Sequence, residues 1–178
     1  MPSALSALMF NHGAKKNSNY VLGKLGIRPG ETIADIGSGG GHYTLRFSKA
    51  VGIEGTVFAI DVDVELLRHV QSIAKRQRNI QTILASEEGF SLPVSCDLMF
   101  MRNAFHHLGD AVSYFHSIGV YLKPEGRITV IERRPDGKGV HNTSEDIICN
   151  TMEAAGFCRL RSFNDLPDYS FNIFSRRL

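Results

Sequence analysis

Apolar and polar positions along the chain switch between two periods. Thr32-Ile33-Ala34-Asp35-Ile36 is a short apolar run, set off by Pro29-Gly30 in front and by glycines behind, the pattern of a buried strand. From Gly41 the period lengthens, and Tyr43, Phe47, Ala50 and Val51 recur at helical spacing. After Gly55, the β-branched and aromatic run Thr56 to Ile60 predicts a second strand that ends at Asp61. Asp63 is then placed to cap a helix with Leu66, Leu67, Val70, Ile73 and Ala74 on one face. Ile80 to Leu84 and Asp97 to Met101 predict a third and a fourth strand. The helix that follows carries Tyr114, Phe115, Ile118, Tyr121 and Leu122 on its buried face, and Pro124-Glu125-Gly126 ends it before a fifth strand, Arg127 to Glu132. Thr143 and Ser144 are cap residues for a helix ending at Ala155-Gly156, with Gly156 suited to the left-handed position after the last turn. Tyr169, Phe171 and Ile173 alternate with polar residues, which predicts an antiparallel strand near an edge, wet on one face.

Strands that alternate with helices predict an α/β, doubly wound sheet with a largely parallel core. Composition narrows the class further. At 178 residues, 43% hydrophobic and 21% charged, the chain is expected to fold as a single domain spanning 1–178. A net charge of +2 advertises no polyanion surface, and no apolar run approaches the length of a membrane span. Cys96, Cys149 and Cys158 show no CxxC spacing, so no disulfide framework and no metal cluster is expected. The expected location is cytoplasmic. Two stretches read as loops: residues 1–18, and 133–142 with Pro135, Gly137 and Gly139.

The chemistry concentrates in Asp35-Ile36-Gly37-Ser38-Gly39-Gly40-Gly41-His42, after a predicted strand and before a predicted helix. Glycines there let the backbone bend tightly and come close to a ligand. Asp61, at the end of the next strand, can accept two hydrogen bonds from a ribose diol, which points to an adenosine-containing ligand. A dinucleotide fingerprint needs a small residue where this chain has His42, so a nicotinamide cofactor is disfavoured. The spacing that fits is G-x-G-x-G through Gly37, Gly39 and Gly41, preceded by Asp35. A carboxylate so placed would repel a pyrophosphate but can hold an ammonium group. A ligand with adenosine at one end and an amino acid at the other satisfies both acids.

With these residues the chain resembles the class I S-adenosylmethionine-dependent methyltransferases, in particular the small-molecule type related to ubiquinone and menaquinone biosynthesis. Further landmarks carry the resemblance: Arg28-Pro29-Gly30-Glu31-Thr32, Asn103-Ala104-Phe105-His106-His107-Leu108, Leu122-Lys123-Pro124-Glu125-Gly126-Arg127 and Glu153-Ala154-Ala155-Gly156-Phe157. It implies a Rossmann-like seven-stranded, mostly parallel sheet, with S-adenosylmethionine as methyl donor and S-adenosylhomocysteine as product. It implies cofactor contacts from Asp35, Gly37, Ser38, Gly39, Gly41, Asp61, Val62 and Asn103. Many relatives place an Asp-Ala pair at the adenine; here the stretch reads Ala85-Ser86-Glu87-Glu88, so Ser86 or Glu87 takes that place.

His106 and His107, after the fourth strand, are the candidates for a catalytic base, with a packing role as the rival reading. The expected partner is a small-molecule acceptor. Nucleic-acid methylation is disfavoured because Arg102-Asn103-Ala104-Phe105 carries no proline and no strong basic tract exists. Protein methylation, and a non-catalytic adenosine-binding module, stay open alongside. Leu5, Leu8, Met9 and Phe10 are expected to form a flap over an apolar acceptor, and a second copy of the chain to supply any missing half of the pocket.

Overall fold

The computed structural model describes residues 15–135 and 143–177. The apolar residues of the expected flap, and most of the stretch 133–142, lie outside them. The described chain divides into two compact units, one ending at Ala85 and one beginning at Ser86.

In the first unit, helix α1 (Ser18–Leu25) precedes β1 (Thr32–Ile36), α2 (His42–Val51), β2 (Thr56–Asp61), α3 (Val64–Ile73) and β3 (Ile80–Leu84). Strands β1, β2 and β3 pair in parallel, with Ile36 beside Ile60 and Asp61 beside Leu84. The apolar runs became strands because both faces are covered: Ile33, Ala34, Val57, Ala59 and Ile60 are fully buried. Asp63 caps α3 as expected, accepting from the N–H groups of Glu65 and Leu66 at 2.8 and 3.3 Å. The short helix α1 had no distinct signal, since it lies at the end of a stretch of small and polar residues.

The second unit runs β4 (Cys96–Arg102), a 3-10 turn (Phe105–His107), α4 (Ala111–Gly119), β5 (Leu122–Arg133), α5 (Glu145–Ala154), β6 (Phe157–Phe163) and β7 (Tyr169–Arg176). Strands β4 and β5 are parallel, and β7 is antiparallel to both β5 and β6. All seven strands belong to one sheet in the order β3-β2-β1-β4-β5-β7-β6, the mostly parallel α/β architecture the pattern implied.

Three expectations need correction. Tyr121 and Leu122 are not part of the third predicted helix, because α4 ends at Gly119 and Leu122 opens β5. Pro124-Glu125-Gly126 lies inside β5 as an irregularity: Cys96 faces Leu122, but Leu98 already faces Arg127. A β-carbon at Gly126 would come within 2.7 Å of Leu122 Cδ1, so the close approach demands glycine. The alternation over Tyr169 to Ile173 misled as to environment. β7 is antiparallel, but it lies between β5 and β6, and Ser170 and Asn172 are fully buried. The edge strand is β6, which the pattern left unread because Arg159, Leu160, Arg161 and Ser162 are exposed on both faces.

Candidate active site

The glycine turn hangs from the end of β2. The Ile60 carbonyl accepts from the N–H groups of Gly37 and Ser38 at 2.9 and 3.0 Å, and Gly41 N–H closes the turn on the Ser38 carbonyl at 2.9 Å. Gly37, Gly39 and Gly41 take φ values of 69°, 52° and 79°, left-handed backbone that disfavours a side chain. At Gly41 a β-carbon would also meet Val70 Cγ2 at 3.0 Å and Ile73 Cδ1 at 3.3 Å.

Both sequence-predicted acids converge on this turn. Asp61 Oδ2 accepts from Gly39 N–H at 2.8 Å and Oδ1 from Asp63 N–H at 3.1 Å, leaving each oxygen a further lone pair. Burial pushes the Asp61 carboxyl above the usual carboxylate range, against the pull of the Gly39 and Asp63 N–H groups. Asp35 is buried at the end of β1, and its Oδ2 accepts from the Thr44 hydroxyl at 2.5 Å. Burial raises Asp35 from 3.8 to about 7, the Thr44 bond opposes this, and the negative charge of Asp61 adds to it. Val62 projects into solvent at 65% exposure beside these acids.

These residues fit an adenosyl amino acid. Ser38 Oγ is buried without a protein partner, the alternating glycines leave the backbone bare, and Asp61 keeps acceptor capacity for a diol. Asp35, more basic than an ordinary carboxylate, gains most from a neighbouring ammonium. Tyr43 is 5% exposed and packs on Phe47, which makes it a core residue.

The remaining predicted residues lie in the second unit. Ser86 closes a tight turn, its N–H donating to the Gly89 carbonyl at 2.8 Å and its Oγ accepting from Glu88 N–H at 3.3 Å. Glu87 is exposed on that turn. Asn103 leaves β4 with φ of 52° and donates its N–H to the Ile131 carbonyl at 2.9 Å. His106 Nδ1 stands 2.9 Å from Glu132 Oε1, and His107 stacks obliquely on His106 with ring centroids 4.0 Å apart. Glu132, the buried partner of His106, is a residue that sequence reasoning missed. At the end of an apolar strand, only its isolation as the one acid in Ile128 to Ile131-Glu132 could have marked it.

A G-x-G-x-G turn after β1 with an acid at the end of β2, in a sheet of this strand order, defines the class I S-adenosylmethionine-dependent methyltransferases. The chain belongs to the methyltransferase domain family, whose model matches residues 33–126. Among curated relatives it is 27% identical over 164 residues to the ubiquinone/menaquinone biosynthesis C-methyltransferase UbiE of Marinomonas sp., covering 89% of this chain and 64% of the relative. It is 28% identical over 118 residues to the protein of that name from Shewanella sp. strain ANA-3, covering 64% of this chain and 47% of the relative. The chain thus spans 47% to 64% of the length of these relatives. Among solved structures it resembles a SAM-dependent methyltransferase from Aquifex aeolicus, with a TM-score of 0.78, 25% identity, and coverage of 90% of this chain and 89% of that one. S-adenosylmethionine is the cofactor of this class. Among the described residues no helix is long and apolar enough to cross a membrane.

Proposed function

We propose that the protein moves the methyl group of S-adenosylmethionine onto a small-molecule acceptor by in-line displacement. The observation that carries the cofactor side is the Asp61 carboxylate, fixed by Gly39 N–H on one oxygen and Asp63 N–H on the other, so that its remaining lone pairs are preset for a diol. When bound, the cofactor supplies an electrophilic methyl carbon on a sulfonium sulfur. The chain's own part is to hold and orient. Asp35 takes the ammonium end, the bare turn at Gly37, Ser38, Gly39 and Gly41 follows the ligand backbone, and Val62 offers an apolar surface beside Asp61. Ser86, Glu87 and Asn103 belong to this reading by resemblance to the family.

The small-molecule character of the acceptor is supported by the near-neutral net charge of +2 and by the kinship with quinone-biosynthesis enzymes. The test is a calorimetric titration with S-adenosylhomocysteine, followed by turnover of S-adenosylmethionine with a panel of phenolic and quinol acceptors. Binding without turnover on any acceptor, in the presence of excess cofactor, would leave an adenosine-binding module instead.

A further inference from the structure

We propose that one end of the sheet in the first unit is a docking surface for a bilayer that contains anionic lipid. The surface lies apart from the glycine turn and does not depend on the methyltransferase reading above.

Strands β1, β2 and β3 are parallel, so the turns that lead into them, residues 26–31, 52–55 and 74–79, gather at one end of the sheet, opposite the glycine turn and Asp61. Hydrogen bonds lock these turns to one another. Asn79 Nδ2 donates to the Ser48 and Gly52 carbonyls at 3.0 and 2.8 Å, and its Oδ1 accepts from the Ser48 hydroxyl at 2.7 Å. Gly30 N–H donates to the Val51 carbonyl at 2.8 Å, and Thr56 N–H to the Glu31 carbonyl at 3.1 Å. The turn that carries Lys75, Arg76 and Arg78 is thereby held against the end of α2, which carries Lys49, and against the turn that carries Ile53.

Charge is segregated along the chain. Residues 1–85 hold ten Lys and Arg against six Asp and Glu, while residues 86–178 hold ten against twelve, a difference that the net charge of +2 hides. Within the first unit the acids are elsewhere or engaged. Asp35, Asp61 and Asp63 lie at the glycine-turn end, Glu65 pairs with Arg68, and Glu31 is buried against Arg28. Among the described residues that leaves Glu54 as the acid exposed on these turns. Lys49, Lys75, Arg76 and Arg78 are all exposed, and among the described residues none of the four is hydrogen-bonded or ion-paired. Beside them Ile53 is 86% exposed.

Unneutralised cations favour a polyanion, and Ile53 decides which. An apolar side chain at the tip of a turn gains nothing from a phosphodiester backbone, and these turns carry no aromatic residue to stack on a base. A bilayer takes both features at once: the cations settle among headgroup phosphates while Ile53 reaches the acyl boundary. The glycine turn then stays on the far side of the sheet from the lipid.

Flotation of the full chain with vesicles tests this. The protein should bind vesicles of phosphatidylcholine mixed with phosphatidylglycerol, leave phosphatidylcholine alone untouched, and come off the mixed vesicles in about 1 M salt, where the screening length is about 3 Å. Each cation near such a surface contributes about fivefold to partitioning, so combining Lys75→Gln, Arg76→Gln and Arg78→Gln should weaken binding roughly a hundredfold. Glu54→Gln should strengthen it about fivefold, and this single exposed change keeps the test open if the triple variant misfolds. Ile53→Ser should weaken vesicle binding severalfold. Calorimetry with S-adenosylhomocysteine should give the same affinity in every variant as in the wild type, which separates loss of the surface from loss of the fold. Failure to bind the mixed vesicles, equal binding to neutral ones, or folded triple and Ile53→Ser variants that bind like the wild type would overturn the proposal. So would tighter binding to a single-stranded RNA than to the mixed vesicles, lost in the triple variant and kept in Ile53→Ser, which would make the surface a nucleic-acid site.

Discussion

Two carboxylates, Asp35 at the end of β1 and Glu132 at the end of β5, are both buried, and they are stabilised in opposite ways. Asp35 is held by Thr44 alone, through its hydroxyl and less strongly its backbone N–H, lies under the field of Asp61, and is raised to about 7. Glu132 receives two backbone N–H bonds and an imidazole. The first is left wanting a cation. The second already has its donors. Burial alone does not define a site; the number and kind of donors decide what the acid is for.

The largest expected effect belongs to Asp35, whose carboxyl burial raises from 3.8 to about 7. Its folded-state value is raised, so the apo protein is favoured at low pH and loses stability as pH rises from about 4 to about 7, by at most about 4 kcal/mol. Cofactor affinity should run the other way, falling up to about tenfold per pH unit below 7 as Asp35 takes up a proton in place of its ammonium partner. Asp35→Asn should flatten both profiles, read by thermal melts and by calorimetry across pH. If both profiles survive in Asp35→Asn, the contrast with Glu132 is broken.

Next in size is Gly41→Val. A β-branched side chain at φ of 79°, pressed against Val70, should cost about 3 kcal/mol in chemical denaturation. A loss below about 1 kcal/mol would mean that the turn relaxes and does not hold its shape for a ligand. Asp63→Ala should cost about 1 kcal/mol through the lost helix cap.

The smallest effect sharpens the other side. Asn172, on β7, is fully buried with neither amide atom partnered in the protein. Asn172→Leu should leave stability unchanged or raise it by about 1 kcal/mol. A loss above about 2 kcal/mol would show that Asn172 is satisfied by an ordered water.

The same contrast explains what could be read in advance. The glycine turn and both acids of the first unit were legible because their meaning is local: spacing within a few residues sets φ, and Asp61 ends the next strand. β1 and β3 matched their predicted spans residue for residue, since apolar runs between turn residues leave little choice. The pairing of His106 with Glu132 was not legible, because it joins residues 26 apart through a strand pairing that only the fold decides. β7 misled for the same reason. Alternation fixes which residues share a face, but Ser170 found the Glu132 carbonyl and was buried with it.

The central claim is that Asp61, preset by Gly39 and Asp63, holds an adenosine-bearing cofactor. Calorimetric titration of S-adenosylmethionine into the wild-type protein and into Asp61→Ala tests it most directly. The account predicts binding by the wild type and an affinity at least about tenfold weaker in the variant, from loss of the charge-assisted hydrogen bonds. Equal affinity in the two proteins, with both folded, would contradict it.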